Sequence, residues 1–133
     1  MEQKKYVLYA DDDIDDRDIM EEVFLVYPDY VLLTFPDGTP LLEHLSNTKA
    51  ESISLIILDM NMTIVSGMQA LTAIRQDKAY ASIPVVMFTT SSSPIDKTQA
   101  AVYGAKVITK PTSIKQLQSV AVEMFDYASD YQK

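Results

Sequence analysis

Five short runs of apolar residues, separated by amphipathic stretches, constrain the fold of this chain more than any other feature of its sequence. Runs that are apolar throughout indicate strands buried on both faces, as in a parallel sheet covered by crossover helices. The stretches between them carry apolar residues at helical spacing and residues that suit helix ends. The predicted strands are residues 6–10, 31–35, 53–58, 85–88 and 107–108, and the predicted helices are Asp15–Tyr27, Thr39–Leu45, Gly67–Gln76, Ile95–Tyr103 and Ser113 to about Ser129.

This alternation predicts a single α/β domain. It runs from about residue 5 to residue 127 of the 133 residues, and we expect one domain over residues 1–133. A globule of this size buries about two-thirds of the surface that its unfolded chain exposes, which is enough for a core without disulfides. The chain has no cysteine, so its core forms without such crosslinks.

The last two predicted helices carry clear boundary signals. Ser93-Pro94 puts a capping hydroxyl and then a proline at the start of the fourth helix, and Gly104 follows its end. Ser113 and Gln116 have the spacing of a capping box at the start of the fifth helix.

Composition excludes several classes of function. Eleven Lys and Arg against 19 Asp and Glu give a formal net charge of −8, which opposes direct binding to nucleic acid. With no cysteine and one histidine, the chain lacks a thiolate zinc site and a cysteine nucleophile, so we expect oxygen ligands for any metal. The apolar run that ends before Asp11 is too short for a signal peptide or a membrane span, so we expect a cytoplasmic protein with no membrane partner.

Polar and charged residues follow four of the predicted strands. In a doubly wound parallel sheet the functional site lies beyond the carboxyl ends of the strands, so these residues are expected to converge. The segments are Asp11-Asp12-Asp13 after the first strand, Asp59-Met60-Asn61 after the third, Thr89-Thr90-Ser91 after the fourth and Thr109-Lys110-Pro111 after the fifth.

The converging residues match the needs of phosphoryl transfer. Clustered carboxylates repel one another, so Asp11, Asp12 and Asp59 call for a positive partner, and Mg²⁺ accepts carboxylate, carbonyl and phosphate oxygens. We expect Lys110 to pair with Asp59 in the empty site and with a phosphoryl oxygen in the filled one. Thr89 offers its hydroxyl to the same oxygen. An anionic nucleophile, a metal, a fixed cation and a donor are the components of such a reaction.

Other polar residues allow a plainer interpretation. Asp13, Asp15, Asp16 and Asp18 equally suit a helix N-terminus, which favours negative charge, and this choice stays open. His44 lies beside leucines in the second predicted helix, and we interpret it as structural or surface-exposed. An aspartate, a threonine and a lysine that each follow a different buried strand are harder to explain in this way.

At four places the chain resembles the receiver domain of two-component response regulators, of which the chemotaxis regulator is the smallest kind. Each segment alone is weak, but the order and spacing of the four are specific, and the similarity covers essentially the whole chain. The segments are Val7-Leu8-Tyr9-Ala10-Asp11-Asp12-Asp13, Leu58-Asp59-Met60-Asn61-Met62 with Ser66-Gly67, Pro84-Val85-Val86-Met87-Phe88-Thr89-Thr90, and Gly104-Ala105 with Thr109-Lys110-Pro111.

The resemblance implies a flavodoxin-like, doubly wound (βα)₅ three-layer sandwich with sheet order 2-1-3-4-5. It also implies that Asp59 accepts a phosphoryl group from a sensor histidine kinase or a histidine phosphotransfer protein. Mg²⁺ would be bound directly by Asp12 and Asp59, directly or through water by Asp11, and by the backbone carbonyl of Asn61.

The same resemblance gives roles to the remaining strand ends. Thr89 and Lys110 would hold the phosphoryl group, and Asn61 and Thr90 would tune the lifetime of the acyl phosphate. Such a protein phosphorylates itself from a phosphodonor and then dephosphorylates itself, rather than turning over a separate substrate.

Output is expected through contact with a downstream protein target that the sequence does not identify. The expected contact face consists of the last two helices and the fifth strand, and homodimerisation through it is a hypothesis. The aromatic residues that motivate this face are Tyr103, Phe125, Tyr127 and Tyr131.

Three positions depart from the family pattern. Thr63 stands four residues after Asp59, where proline is usual. Val107 stands three residues before Lys110, where an aromatic is usual, and Thr112 stands where phenylalanine is common. These departures leave the phosphorylation chemistry intact, but Val107 removes the simplest coupled threonine–aromatic readout.

Three other functions fit the sequence less well. The segment 59–63 partly resembles the nucleophile loop of haloacid-dehalogenase-type phosphatases, but Asn61 stands where they need a second, acid–base aspartate. A flavin carrier of the same fold needs a first loop that binds phosphate, and Asp11-Asp12-Asp13 would repel phosphate. A receiver-like module that signals without phosphorylation remains open, because Thr63 and Val107 weaken the usual switch.

Overall fold

Five parallel strands form one sheet in the order 2-1-3-4-5 in the computed structural model, which describes residues 5–90 and 93–131. The fold and strand order predicted from the sequence are confirmed. Two predicted features lie outside the described residues. They are residues 1–4, on which the expectation about an export signal partly rests, and Ser91 of the fourth strand end. The strands are β1 (Lys5–Ala10), β2 (Tyr30–Phe35), β3 (Ile53–Asp59), β4 (Val85–Thr89) and β5 (Lys106–Thr109), and the helices are α1 (Ile14–Phe24), α2 (Gly38–Ser46), α3 (Gly67–Gln76), α4 (Pro94–Val102) and α5 (Ile114–Tyr131), with a 3₁₀ turn at Ala50–Ser52.

Helices cover both faces of the sheet and give the three layers. Alternate residues of β1 point to opposite faces, so Val7 and Tyr9 pack on one side while Leu8 and Ala10 pack on the other. The side of Tyr9 is covered by α1 and α5, and the opposite side by α2, α3 and α4. Of the helices in the described part of the chain, none combines the length and the apolar character that crossing a bilayer requires.

Helix α1 begins and ends earlier than the spacing of its apolar residues predicts. It begins at Ile14 because Asp13 is the N-cap, with a side chain that accepts from the amides of Asp15 and Asp16. It ends at Phe24, and the amide of Tyr27 donates to the Phe24 carbonyl at 2.9 Å in a tight turn. Pro28 follows, and a proline disfavours helical geometry in the residue before it.

The signals at the ends of α4 and α5 are confirmed in part. Ser93 caps α4, Pro94 is its first residue, and Gly104 has a φ of +70°, in the left-handed region that favours glycine. At α5 the Ser113 hydroxyl accepts from the Gln116 amide at 3.2 Å, but the Gln116 side chain accepts from the amide of Thr112 instead of that of Ser113. The reciprocal capping box predicted there is therefore wrong, because the Gln116 side chain turns to the preceding residue.

A complete capping box occurs instead at α3, where it fixes the loop after the third strand. Ser66 accepts from the Gln69 amide, and the Gln69 side chain accepts from the Ser66 amide at 2.8 Å. Gly67 donates its amide to the Met60 carbonyl at 3.1 Å. A Cβ at position 67 would overlap the Asp59 carbonyl oxygen and lie 2.8 Å from the Met60 Cα. The loop that carries Asp59 therefore packs directly on the backbone at the start of α3.

We expect Gly67→Ala to lower the free energy of unfolding by about 1–3 kcal/mol, because the added methyl meets backbone atoms that cannot move aside. Gly38→Ala is the matched control, since Gly38 also begins a helix but its added Cβ would lie 2.8 Å from the Val65 Cγ1, which can rotate, and no closer than 3.1 Å to the Val65 Cβ and carbonyl oxygen. Chemical denaturation of the two variants and the wild type measures both changes. An equal or larger loss in Gly38→Ala would contradict this explanation of Gly67.

Candidate functional site

The strand ends bring four of the predicted site residues together at the carboxyl edge of the sheet. Asp11 follows β1, Asp59 ends β3, Thr89 ends β4 and Lys110 follows β5. Their positions are held by the backbone, since the Asp11 amide donates to the Phe35 carbonyl at 3.0 Å and the Lys110 amide to the Thr89 carbonyl at 2.7 Å. The side chains of Asp11 and Thr89 are fully buried, and Asp59 is 6% exposed.

Three donors hold the buried carboxylate of Asp11. Its Oδ2 accepts from the Tyr9 hydroxyl at 2.5 Å and from the Lys110 ammonium at 2.7 Å. Its Oδ1 accepts from the Asp13 amide at 2.9 Å. Burial, followed by the neighbouring Asp11 charge, raises the pKa of Tyr9 far above its ordinary value, so Tyr9 acts only as a donor. The side chain of Asp11 is therefore fixed in orientation.

Lys110 lies among three carboxylates. Its Nζ is 2.7 Å from Asp11, 2.9 Å from Asp16 and 3.5 Å from Asp59, and its side chain is 10% exposed. Burial alone lowers the pKa of Lys110, but its hydrogen bonds to Asp11 and Asp16 outweigh that effect and hold the pKa above its ordinary value. Lys110 therefore stays charged.

Lys110 was expected to pair with Asp59, but its distance to Asp59, 3.5 Å, is the longest of its three distances to carboxylates. Asp11 is the most buried of these carboxylates and has the greatest need of a counter-charge, which explains why Lys110 lies closest to it. Pairing with Asp16 was not predicted at all. The sequence left Asp16 as a possible cap residue, whereas the cap is Asp13.

Asp59 is only partly compensated. One carboxylate oxygen accepts weakly from the Asn61 amide at 3.3 Å, and the other lies 3.5 Å from Lys110. Burial and then the Asp11 charge raise the pKa of Asp59 to about 6, although Lys110 and the Asn61 amide oppose that rise. Lys110 alone does not neutralise the surrounding carboxylates, so these carboxylates favour binding of a further cation.

Three carboxylates offer ligands for such a cation. One oxygen each from Asp11, Asp12 and Asp59 lies within 4.8 Å of the others, with Asp12 exposed and the other two buried. An all-oxygen set that is open on the Asp12 side suits a hard divalent ion that keeps several waters, as Mg²⁺ does. Asn61 is exposed directly beyond Asp59, at the same edge. The residues present therefore fit the metal that the sequence predicts.

The remaining predicted residues lie around this centre in different roles. Thr90 is exposed and lines a cavity of about 240 Å³ between α1 and α5, next to Lys110 and Asp16. Asp15 and Asp18 are exposed side chains on α1. His44 packs its ring 5.6 Å from that of Phe35, in agreement with a structural interpretation.

Sequence reasoning missed Tyr9 and Asp16. Asp16 stands three, four and seven residues before Ile19, Met20 and Val23, so it shares the helix face that packs on the sheet. An acid within an apolar stripe was the signal that could have revealed it. Tyr9 stands next to last in a strand whose last four residues are buried, where a hydroxyl needs a partner.

Of the four aromatic residues that motivate the predicted contact face on α4, β5 and α5, the structure brings three together and places one elsewhere. Arg75 donates to the Tyr103 carbonyl at 2.6 Å and lies 5.7 Å from the Tyr131 ring, while the Tyr127 hydroxyl donates to Gly104 at 3.0 Å. Phe125 comes directly after the buried Met124 and turns the other way. It packs against the rings of Phe24, Tyr27 and Tyr30 on the α1 side.

Comparison with known proteins agrees with this geometry. The chain matches the family model described as the response regulator receiver domain over residues 7–122. It is 30% identical to the uncharacterized transcriptional regulatory protein YrkP of Bacillus subtilis, over 96% of this chain and 52% of that protein. It is also 30% identical to the two-component response regulator ARR7 of Arabidopsis thaliana, over 65% of this chain and 46% of that protein, so the chain spans about half the length of both relatives.

Two solved structures share the fold over nearly their whole length. The chemotaxis protein CheY4 of Vibrio cholerae is 27% identical with a TM-score of 0.77, covering 91% of this chain and 98% of that one. The Mn²⁺-bound form of the response regulator Rcp1 is 27% identical with a TM-score of 0.79, covering 92% and 94%.

We expect Asp59→Asn to stabilise the metal-free fold at neutral pH. Because the folded-state pKa of Asp59 is about 6 rather than 3.8, the folded protein binds this proton more tightly than the unfolded chain does. Stability therefore falls as pH rises between these two values, and the loss is complete above about pH 6. Removing the charge should raise the free energy of unfolding by about 1–2 kcal/mol at about pH 7.5 and by nearly nothing near pH 4.

Chemical denaturation in a chelator at both pH values measures this gain. Asp18→Asn removes an equal charge from an exposed position and should change stability by less than about 0.5 kcal/mol. A stabilisation by Asp59→Asn that is the same at both pH values would contradict the assignment of the repulsion to Asp59.

Proposed function

Because the chain belongs to the response regulator receiver domain family, we propose that it accepts a phosphoryl group on Asp59 from a phosphohistidine. The donor would be a sensor histidine kinase or a histidine phosphotransfer protein. The observation that carries this proposal is the partly compensated Asp59 carboxylate, which lies within 3.5 Å of the buried Lys110 ammonium and beside two further aspartates. A single receiver domain over residues 1–133 is part of the proposal.

The reaction joins one carboxylate oxygen of Asp59 to phosphorus. The P–N bond of the phosphoimidazole breaks, its electron pair stays with the imidazole nitrogen, and that nitrogen takes up a proton from solvent. The product is an acyl phosphate. With a pKa of about 6, Asp59 is mostly ionised at neutral pH and keeps its lone pairs available for attack.

Lys110 and Thr89 would bind the oxygens of the transferred group. The Lys110 ammonium already lies on the Asp59 side of the site and needs only a small movement to meet an added oxygen. Thr89 ends β4, the strand next to β5, and it pairs with Thr109, the residue before Lys110. Fixed donors of this kind stabilise charge on the phosphoryl oxygens without reorganising during the reaction.

Mg²⁺ is the proposed cofactor. Asp12, Asp59 and the backbone carbonyl of Asn61 would bind it directly. The three donors already on Asp11 favour an Asp11 contact through water. When bound, the ion supplies positive charge between the carboxylates and the incoming phosphoryl oxygens, which otherwise repel one another.

Output by protein contact follows as a proposal from the same family membership. Asn61 and Thr90 are both exposed at the site, where they would control access of water to the acyl phosphate. The surface of Tyr103, Tyr127 and Tyr131 is the proposed contact face, and homodimerisation through it is testable by light scattering with and without a phosphoryl analogue. A monomer in both states would exclude the dimer.

A second candidate is a binding module that does not depend on phosphorylation. It is favoured by Val107, which is half-buried in β5 beside Met87 and offers no aromatic ring to move with Thr89. Thr63 is exposed where the family usually has a rigid proline. Both positions affect how phosphorylation would be reported, whereas the acceptor chemistry depends on Asp59 and Lys110.

Intact-mass measurement after incubation with acetyl phosphate tests the proposal. We expect one added phosphoryl group with Mg²⁺, none in a chelator and none in Asp59→Asn. Asp18→Asn is the matched control and should be phosphorylated like the wild type. Absence of the adduct with acetyl phosphate, phosphoramidate and phosphohistidine donors would contradict the proposal and support the phosphorylation-independent module.

A further inference from the structure

Helix α1 brings into the site a carboxylate that phosphoryl transfer does not require. Asp16, in the first turn of α1, lies 2.9 Å from the Lys110 ammonium, a contact as close as an ordinary charge-assisted hydrogen bond. Its side chain is 36% exposed, whereas that of Asp11 on the other side of Lys110 is fully buried. The two shortest bonds of Lys110 therefore go to a buried and to a half-exposed carboxylate.

These two bonds compete with any oxygen added on Asp59. An ammonium group has three hydrogens, and two of them are directed to Asp11 and Asp16, while the Asp59 oxygen is more distant at 3.5 Å. A phosphoryl group on Asp59 brings further charged oxygens to that side. Lys110 has a third hydrogen for them, but Asp11 and Asp16 hold its Nζ 3.5 Å from the Asp59 oxygen, so a closer approach lengthens one of its two short bonds.

The bond to Asp16 is the one that yields. Loosening the bond to Asp11 would remove the direct counter-charge of a fully buried carboxylate, which is strongly unfavourable, since the proposed Mg²⁺ would contact Asp11 only through water. Asp16, by contrast, can exchange Lys110 for water because part of its side chain is exposed. The cost of releasing Asp16 is that of one partly exposed ion pair.

We propose that Asp16 is a positioning residue that holds Lys110 toward α1 and away from Asp59 until a phosphoryl oxygen displaces it. This inference rests on the proposed function, since it concerns how the same lysine meets the phosphoryl group. Its consequence is that Asp16 limits the affinity of the site for the phosphoryl group. Through Asp16, phosphorylation of Asp59 would also change a contact at the start of α1, beside the cavity between α1 and α5.

Titration with beryllofluoride, a phosphoryl mimic, at saturating Mg²⁺ tests the inference, with ¹⁹F NMR to follow binding. We expect Asp16→Asn to bind the mimic about two- to fivefold more tightly than the wild type, the effect of removing one partly exposed ion pair that competes for Lys110. The hydrolysis of the acyl phosphate should slow in the same variant, because Lys110 then stays on the phosphoryl oxygens.

Two further variants separate positioning from general charge. Asp18→Asn removes the same charge from the same helix at an exposed position, and its affinity should match that of the wild type. Asp16→Glu restores the carboxylate, and its affinity should return toward that of the wild type. The difference between wild type and Asp16→Asn should also shrink in about 0.5 M salt, because a partly exposed ion pair is screened.

Failure of the positioning role and failure of the proposed function give different results. If the wild type binds the mimic and Asp16→Asn binds it equally or more weakly, the inference is wrong while the proposed function stands. The inference is also wrong if Asp18→Asn binds as tightly as Asp16→Asn, since net charge would then explain the gain. If the wild type neither binds the mimic nor becomes phosphorylated, the proposed function fails and the inference fails with it.

Discussion

One ammonium group among three carboxylates determines how the carboxyl edge of this sheet is organised. Lys110 lies within 3.5 Å of Asp11, Asp16 and Asp59, in a place where it is 10% exposed. A buried charge is tolerated only when it is paired, so Lys110 and Asp11 stabilise each other. Asp59 is left with a raised pKa of about 6 and with an incomplete set of partners. The site thus holds its own counter-charge for Asp11, while Asp59 stays available for the proposed cation and phosphoryl group.

The fold supplies this arrangement through its strand order. Because all five strands run parallel, their carboxyl ends reach the same edge, and the strand order places β1, β3, β4 and β5 side by side. Gly67 allows α3 to start directly on the backbone of Asp59 and Met60. The Asp13 cap fixes the first turn of α1 and with it the side chain of Asp16. Local features of the backbone therefore place groups that are far apart in sequence.

The sequence was sufficient for the strands and helices because its signals are periodic and local, whereas the strand order was implied by the family resemblance. Continuous apolar runs predict buried parallel strands, and all five strands and the helices between them are observed. Helix ends were less accurate, since Pro28 and the Asp13 cap act over one or two residues and shift a boundary without changing the pattern. The capping box was expected at Ser113 and is complete at Ser66, because the orientation of a glutamine side chain is not encoded in its spacing alone.

The candidate site was predictable in its members but not in its pairing. Strand-end positions indicate that Asp11, Asp59, Thr89 and Lys110 converge, yet they do not indicate which carboxylate is most buried. Burial decides that Lys110 pairs most closely with Asp11, and a helix face brings in Asp16. Phe125 was wrongly assigned to the contact face for a similar reason. Successive residues of a helix point in directions about 100° apart, so a small shift along α5 decides which neighbours a side chain meets.

The carboxylate cluster is proposed to hold one divalent cation, and thermal unfolding at increasing Mg²⁺ concentrations tests whether it does. An ion that binds only the folded protein raises the Tm further with each increase in its concentration. We expect such a rise in the wild type and in Asp18→Asn, beyond that caused by NaCl at equal ionic strength, and its loss in Asp12→Asn. A Tm that responds equally to Mg²⁺ and NaCl, or a Mg²⁺ response that survives in Asp12→Asn, would show that these carboxylates do not hold the ion.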